Sequence, residues 1–350
     1  MDLNKKKRVL LLMPKFHGYQ DLVIEHLQKL DFEVEYFENK THKFDPDSYK
    51  AKFRIIRRVW FKIFKPKAKY TSKLLKLTKN SIFDYLLVIN CNSLTTSFLK
   101  SIKIANPEIK TRLFLWDTLK CYDWVEFCQE FDVVYTFDLF DAQKYNIKYL
   151  ANFHDYFDEE SPLVSRYSIV FIGTHHSNRF SLIDKLYPVI KANFSNSFIR
   201  LIIIYKPFFY NKFLYFLISK FFYKIFPDLA LAYKLFEKRI TTEFLQFERI
   251  NYNDVKDIYL NANVILDIDM PEQTGLSQRV ILGLAQGKKI ITTNQFITYY
   301  KDIYDPKVIH IIDENKPVLD INWIRESSAG KMVDLSYLRI DNWLTKILGE

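Results

Sequence analysis

Short apolar runs alternate with helical patterns of apolar and polar residues along the whole chain. Several of these runs are apolar at every position, which is typical of parallel strands that are buried on both faces. In the first half, the predicted strands are residues 8–13, 32–37, 83–90, 112–116, 133–137 and 147–150. In the second half, they are residues 168–172, 199–205, 264–268, 289–293 and 308–312. This alternation predicts an α/β fold in which helices cover parallel sheets.

A polar stretch, HDYFDEESPLVSR at residues 154–166, interrupts the pattern near the middle of the chain. It is acidic and contains Pro162, and a complete series of strands and helices lies on either side of it. We therefore predict a Rossmann-like domain at residues 1–155, a second at 156–332 and a terminal helix at 333–350, a division that the chain length allows. Ligands of such folds bind at the carboxyl ends of the strands, so we expect the site in the cleft between the domains.

The net charge of +10 comes from one basic segment, residues 48–81. This segment contains twelve Lys or Arg and no acidic residue, so 39 of the 51 basic residues are left to balance 41 acidic residues elsewhere. Apolar side chains recur in it at helical spacing, at Phe53, Ile56, Trp60, Ile63 and Phe64. Basic residues fill the opposite side, which predicts an amphipathic helix on an anionic membrane surface. The alternative is a solvated basic face over an ordinary core.

Three further observations bear on localisation. Residues 206–227 are rich in aromatic residues, but four lysines interrupt them, so we expect an interfacial helix rather than a membrane span. The apolar run near the N-terminus is too short for a signal peptide and is interpreted as the first strand. The three cysteines show no metal-type spacing, which favours free thiols in a reducing compartment. The sequence therefore predicts a cytoplasmic protein, peripheral to the inner face of the cell membrane.

Nucleic acid is not an expected partner. Basic residues together with aromatic ones can also indicate stacking on bases. However, the sequence contains no helix-turn-helix, zinc-finger or RNP-like pattern that would support that interpretation.

The stretch PEQTGLSQRVILGLAQGKKIITTN, residues 271–294, holds the strongest chemical signal. It follows a strand that ends in two acidic residues, and it predicts a polar turn with Gly275, a helix that Gly287 terminates, and another strand. The free N–H groups of the first helical turn make an anion site that suits a diphosphate. Thr274 and Ser277 are expected to cap the helix and donate to phosphate oxygens, and Arg279 adds a fixed charge. An ordinary βαβ connection has the same features, which leaves a purely structural role open.

This stretch is similar to the donor-binding motif of GT-B glycosyltransferases, in particular the group of bacterial lipopolysaccharide and capsule biosynthesis. DVVYTFDLFDAQKYNIKYL at residues 132–150 and VFIGTHHSNRFSLIDKL at 170–186 strengthen the resemblance, which spans roughly residues 110 to 300 and excludes the basic segment. It implies two Rossmann-like domains that face each other across a cleft, with a nucleotide-sugar donor in the second domain and an acceptor in the first. No cofactor and no metal are expected.

The resemblance also implies donor-binding residues. They are Gly173, Thr174, Arg179, Lys206, Gln273, Thr274, Gly275, Ser277 and Arg279. One position departs from the family pattern, because Leu282 stands where many of these enzymes carry the glutamate that holds the ribose. Glu272 or Asp269 is then a possible replacement, or the donor is atypical.

Metal binding is not expected at the two places that invite it. His175 and His176 are adjacent, so on a helix they point about 100° apart and cannot chelate one ion. The DID run at residues 267–269 is interpreted as the end of a buried strand.

A base is needed if the transfer inverts the sugar configuration, since the acceptor hydroxyl then loses a proton as it attacks. Asp117 follows a strand and lies beside Trp116, an aromatic surface for the acceptor sugar, and it is the preferred base. His17 is the second candidate, next to Gly18, which lets the loop approach the acceptor closely, and Asp138 is the third. Each can equally be structural, and a retaining enzyme needs no such base.

The combined hypothesis is a metal-independent, hexosyltransferase-like enzyme of the cell envelope. It moves a sugar from a nucleotide-sugar donor to a lipid-linked or lipopolysaccharide or capsule acceptor at the inner membrane surface. A nucleotide-sugar 2-epimerase of the same fold is one alternative. A catalytically silent binding member of a polysaccharide assembly is the other, and Leu282 is its best support.

Overall fold

The computed structural model describes residues 6–39, 54–91, 93–120, 124–156, 165–176, 178–203, 235–236, 238, 241–326 and 333–350. Within them, strands β1 to β6 are Arg8–Met13, Glu33–Glu38, Tyr85–Ile89, Lys110–Leu115, Val133–Thr136 and Lys148–Tyr149. They form a parallel six-stranded sheet in the order β2-β1-β3-β4-β5-β6. Strands β7 to β12 are Tyr167–Thr174, Phe198–Ile202, Leu245–Gln246, Ala262–Asp267, Lys289–Thr292 and Ile309–Ile311. They form a second parallel sheet in the order β12-β11-β10-β7-β8-β9.

Eleven α-helices are found among the described residues. Helices α1 to α6 are Tyr19–Lys29, Arg54–Phe64, Pro66–Leu77, Thr96–Ala105, Val125–Cys128 and Leu139–Tyr145. Helices α7 to α11 are Arg179–Asn193, Tyr252–Leu260, Gln278–Ala285, Ile321–Arg325 and Ile340–Leu348. Short 3₁₀ turns occupy Gln295–Tyr299 and Ser336–Leu338. None of the described helices is long and apolar enough to cross a membrane.

The apolar runs form strands because both faces of each sheet are covered. Val9 and Leu11 of β1 belong to one apolar cluster, whereas Leu10 and Leu12 belong to another on the opposite face, and all four are fully buried. Strand β10 repeats the pattern, with Ile265 on one face of its sheet and its neighbours on the other. The predicted α/β class and parallel arrangement are confirmed, and each predicted strand overlaps an observed one. The two-residue β9 was not predicted.

The basic segment contains two helices with different surroundings. Helix α3 buries Leu74 in the core cluster of the first sheet. Helix α2 instead leaves its apolar residues Val59, Ile63 and Phe64 exposed by 53%, 66% and 46%. Residues 48–53, the segment 206–227 and most of the predicted linker lie outside the described residues.

The terminal helix α11 returns to the first sheet. The Trp343 ring is fully buried and meets the rings of Phe114 and Phe153 edge-on, at centroid distances of 4.7 and 4.9 Å. Its Nε1 atom donates a hydrogen bond of 3.0 Å to the backbone oxygen of Ala151. Helix α11 is therefore part of the core of the first sheet, next to β4 and the segment that follows β6.

We expect Trp343→Ala to lower the free energy of unfolding by about 3 to 5 kcal/mol, because it leaves a large cavity and an unpaired carbonyl oxygen. Urea denaturation measures this loss. Lys346→Ala, on the exposed side of the same helix, is the control and should change the free energy of unfolding by no more than about 0.5 kcal/mol. A loss below about 1 kcal/mol for Trp343→Ala would contradict the role of α11 as core.

Candidate functional site

A cleft of about 470 Å³ lies where residues from both sheets meet. From the first half of the chain, its walls include the predicted residues His17, Trp116 and Asp117. From the second half, they include Gly173, Thr174, Arg179, Gln273, Ser277 and Arg279. Asp117 follows the carboxyl end of β4, and Thr174 is the carboxyl end of β7. These nine residues, which the sequence assigned to acceptor, base and donor, therefore surround one cavity.

Three predicted residues are not among the lining residues, and one lies outside the described part of the chain. Gly18 has φ of +85° before α1, and a β-carbon there would come within 3.3 Å of Tyr252 in the second half. Gly275 is packed so closely on Phe137 that a β-carbon would meet that ring at 2.5 Å. Thr274 is buried. Lys206 falls outside the described residues.

Thr274 and Asp138 join the two halves of the chain. The Thr274 hydroxyl donates to Oδ2 of Asp138, whose Oδ1 accepts the backbone N–H groups of Phe140 and Asp141 and so caps α6. The Asp138 side chain is completely buried. The Thr274 hydroxyl, which the sequence assigned to a phosphate, therefore binds Asp138 instead. Both carboxylate oxygens of Asp138, the third candidate base, already accept hydrogen bonds from the protein.

The helix that the 271–294 stretch predicts begins where expected. Ser277 is the N-cap of α9, its Oγ accepts from the backbone N–H of Val280, and it donates to Oδ1 of Asp267 at 2.7 Å. Gly287 follows the helix with φ of +65°, as a C-terminal glycine should. The first turn of α9 is therefore anchored directly on the carboxyl end of β10.

Arg279 is fixed at the base of the cleft. Its Nε donates to Oδ1 of Asp267 at 2.8 Å, its Nη2 donates to the Ile268 oxygen at 3.3 Å, and one face of the guanidinium lies over Phe171. Its Nη1 makes no hydrogen bond with the described residues and lies 3.3 Å from where a Gly173 β-carbon would be. The same β-carbon would meet the Phe171 ring at 2.8 Å, so glycine at 173 allows both this ring and the guanidinium to lie close to the backbone.

A second guanidinium lies next to it. Arg179 donates through Nε to the Ile268 oxygen at 2.7 Å and through Nη1 to the Thr174 oxygen at 2.8 Å. Burial, and after it the positive charge of Arg279, lowers the pKa of Arg179. An anion in the cleft would relieve that repulsion, so this wall is suited to a negatively charged group.

Two carboxyl groups complete the wall. Asp267 is fully buried and accepts from Ser277, Arg279 and the Thr292 hydroxyl, so both of its oxygens are bound by protein donors. Burial and the neighbouring Asp267 charge raise the pKa of Asp269. Burial lowers the pKa of the Arg279 guanidinium, but Asp267, Tyr259 and Asp269 together outweigh burial, so the pKa of Arg279 is raised. The wall therefore stays cationic beside the cavity.

Asp117 has the protonation properties of a general base near neutral pH. Burial raises its pKa to about 6, and the hydrogen bond from Nδ2 of Asn90, 2.7 Å long, partly offsets that rise. Oδ1 of Asn90 accepts from the Trp116 backbone N–H at 2.7 Å, so one side chain holds both predicted residues in place. Asn90, which follows the carboxyl end of β3, was not predicted, although the rule that located Asp117 applies to it equally.

His17, the second candidate base, lines the same cleft. Burial lowers the pKa of its ring, and the positive charge of Arg249 adds to this, so the imidazole is neutral at pH 7 and able to accept a proton. Its φ of +49° places it in a tight turn before α1. Nearby, Tyr19 links the two halves, with its ring 5.4 Å from Trp116 and 5.0 Å from Tyr252.

No group of three or more His, Cys, Asp or Glu side chains within the described ranges is arranged to hold a metal ion. His175 and His176 both line the cleft, next to Arg179.

No protein-family model and no curated protein sequence matches this chain. Among solved structures it is similar to the UDP-GlcNAc 2-epimerase of Methanocaldococcus jannaschii, in complex with UDP-GlcNAc and UDP, with 11% identity over 98% of this chain and 99% of that one and a TM-score of 0.51. The N-terminal domain of Candida albicans trehalose-6-phosphate phosphatase gives 11% identity, coverage of 100% and 98%, and a TM-score of 0.50. MurG of Acinetobacter baumannii gives 12% identity over 98% of this chain and 100% of that one, and a TM-score of 0.48.

At these low sequence identities, the similarity shows a shared fold and nothing further. It extends over essentially the full length of each chain, and the chain has the GT-B architecture of two Rossmann-like halves facing across a cleft. The predicted fold class is thereby confirmed.

Proposed function

We propose that this protein is a glycosyltransferase that moves a sugar from a nucleotide-sugar donor to a lipid-linked or lipopolysaccharide or capsule acceptor at a membrane surface. The observation that carries the proposal is the cleft itself. A cationic wall at the start of α9 lies on one side of it, and a carboxyl group with a pKa of about 6 lies on the other. A diphosphate leaving group and an acceptor hydroxyl need these two chemistries in one cavity.

The proposed reaction assigns one task to each wall. Asp117 accepts the proton of the acceptor hydroxyl as its oxygen attacks the anomeric carbon of the donor sugar. The bond between that carbon and the phosphate oxygen breaks, and the nucleoside diphosphate leaves with the bonding electron pair. Arg279 and the first turn of α9 stabilise the negative charge that develops on the phosphate. The cation is already held by Asp267, so little reorganisation is needed.

The experiment that tests this function measures turnover of a panel of nucleotide sugars, with and without vesicles that carry bacterial lipid acceptors. We expect release of nucleoside diphosphate that the vesicles stimulate. Conversion of a donor into its 2-epimer would support the epimerase instead. Binding without turnover of any donor would support a silent binding protein, and either result would overturn the proposed transfer.

The membrane part of the proposal rests on α2 and α3. A groove between these helices is lined by Ile63, Phe64, Lys65, Lys69, Lys73 and Lys76. Apolar side chains that are exposed among lysines match the boundary between acyl chains and anionic headgroups. An acceptor attached to lipid has to be met at that boundary.

We expect the fourfold variant K62Q/K65Q/K69Q/K73Q to bind phosphatidylserine-containing vesicles at least about 100-fold more weakly than the wild-type protein. Each lysine near an anionic surface contributes about 1 kcal/mol. Co-sedimentation measures the partition. A matched variant with four exposed lysines replaced elsewhere, K29Q/K148Q/K301Q/K307Q, has the same net charge and should bind like the wild-type protein. Equal weakening of both variants would show a general charge effect and no specific surface.

A further inference from the structure

Two hydrogen bonds connect the segment after β6 to the start of α9. Nδ2 of Asn152 donates to the Leu276 oxygen at 3.2 Å, and Nε2 of Gln278 donates to the Phe153 oxygen at 2.5 Å. These contacts fix the orientation of both side-chain amides, because each nitrogen must face a carbonyl oxygen and cannot exchange places with its own amide oxygen. These two side-chain amides therefore join the two halves of the chain, one from each half, at neighbouring positions of the two segments.

The oxygen atoms of the same amides are left over. Oδ1 of Asn152 and Oε1 of Gln278 are buried and have no hydrogen-bond partner among the described residues. The Asn152 side chain is only 3% exposed. A buried acceptor without a donor costs free energy, and native proteins rarely keep one without a use. Both residues line the cleft that also contains Asp117 and Arg279.

The chemistry of these atoms restricts what can fill the site. An amide oxygen only accepts, so the ligand has to donate. It need not be charged, since neither amide carries a charge. A pair of acceptors from adjacent segments suits adjacent hydroxyl groups on one ring. Gln278 also lies one helical turn before Leu282, on the same side of α9, where the apolar Leu282 side chain offers no acceptor.

We propose that Asn152 and Gln278 accept hydrogen bonds from the vicinal hydroxyls of a sugar ring and so decide which sugar-bearing nucleotide the cleft holds. The inference rests on the proposed function. Two parts of a nucleotide sugar carry such a diol, the ribose and the transferred sugar. Glutamine serves here better than glutamate, because a carboxylate would face the Phe153 oxygen without a proton to donate and would loosen the connection between the halves.

The test compares ligands that differ only in hydroxyl groups. Calorimetry measures the affinity of UDP and ADP, of their 2′,3′-dideoxy forms and of UDP-glucose for the wild-type protein, Gln278→Met and Asn152→Leu. If the ribose is the source, the wild-type protein prefers the ribose form about tenfold, and the preference falls below about twofold in the variants. If the transferred sugar is the source, the variants instead lose the advantage of UDP-glucose over UDP. Either result supports the proposal.

One control variant and three further outcomes complete the test. Either substitution suffices if the other fails to fold, and Gln286→Met, a buried glutamine outside the cleft at the end of α9, is the control and should keep every preference. The role of the amides would be overturned if the variants bound every ligand more weakly by the same factor, or if they kept the wild-type preferences. Neither result would contradict the proposed function. If the wild-type protein binds no nucleotide, the proposed function fails with it.

Discussion

Nucleoside diphosphates are expected to bind the Arg279→Met variant at least about 100-fold more weakly than the wild-type protein. The substitution removes the cation at the start of α9, and hydrogen bonds between charged groups contribute about 1.5 to 3 kcal/mol each, where 1.4 kcal/mol is a factor of ten. Arg279→Lys should give an intermediate loss of about tenfold, because it keeps the charge but not the planar group that reaches Asp267 and the cavity together. Calorimetric titration with UDP, ADP and GDP measures the effect.

A control is needed because Arg279→Met also leaves Asp267 with fewer partners. Thr292→Val removes the hydroxyl that donates to Oδ2 of Asp267, and Thr292 is not among the residues that line the cleft. We expect it to lower the free energy of unfolding by about 1 to 2 kcal/mol and to change the affinity for nucleotides by less than about threefold. Unchanged affinity in Arg279→Met, or an equal loss in Thr292→Val, would mean that Arg279 serves only the packing of α9 on β10.

The second large effect is expected at Asp117. Asp117→Asn should lower kcat by about 10² to 10⁴, the range that general bases contribute, while the affinity for nucleotide changes by less than about threefold. The side chain keeps its size and its neighbour Asn90, so the loss should be confined to the chemical step. If Asp117→Asn keeps its kcat and His17→Gln loses it, the base is His17.

The pH dependence of kcat/KM tests whether Asp117 is the base. Only the ionised carboxyl accepts a proton, so kcat/KM of the wild-type protein should rise with pH through about 6, the raised pKa of Asp117. Asn90→Gly removes the hydrogen bond that favours the carboxylate, and glycine tolerates the φ of +59° at this position. The rise should then move to higher pH. An unchanged profile would separate Asp117 from the proton transfer.

The raised pKa of Asp117 also affects the stability of the folded protein, and this effect changes with pH in the opposite direction to the activity. Because the folded protein raises the pKa of Asp117 above the ordinary 3.8, ionising this carboxyl costs free energy. The contribution of this group to stability is complete below about pH 4 and is lost as the pH rises through about 6. The activity proposed for Asp117 is thus expected to be gained over the pH range in which its contribution to stability is lost.

The fold was readable from local pattern because its strands are buried on both faces. The alternation of Val9 and Leu11 with Leu10 and Leu12 between two cores requires an uninterrupted apolar run, and such runs are visible in the sequence. Strand β9, with the residues Leu245 and Gln246, is too short to leave a pattern. The return of α11 was invisible for another reason, since Trp343 meets Ala151 across 192 positions and no local rule encodes that pairing.

The residues of the candidate site could be predicted from the sequence only where a local pattern determines their surroundings. Asp117 and Arg279 could be located because a strand end and a helix start each have a local sequence signature, and both lie at the cleft. Thr274 and Gly275 carry the same signature, yet their side-chain environment is set by Asp138 and Phe137, more than 130 positions away. Asn152 and Gln278 were missed because an unpaired amide oxygen exists only once both segments are in place.

The structure of the protein crystallised with the tightest-binding nucleoside diphosphate tests the proposed donor site most directly. We expect the diphosphate in the cleft, within about 3 Å of the Arg279 guanidinium and next to the first turn of α9. A nucleotide bound elsewhere, or none bound at millimolar concentration, would contradict the assignment of this cleft to a nucleotide sugar.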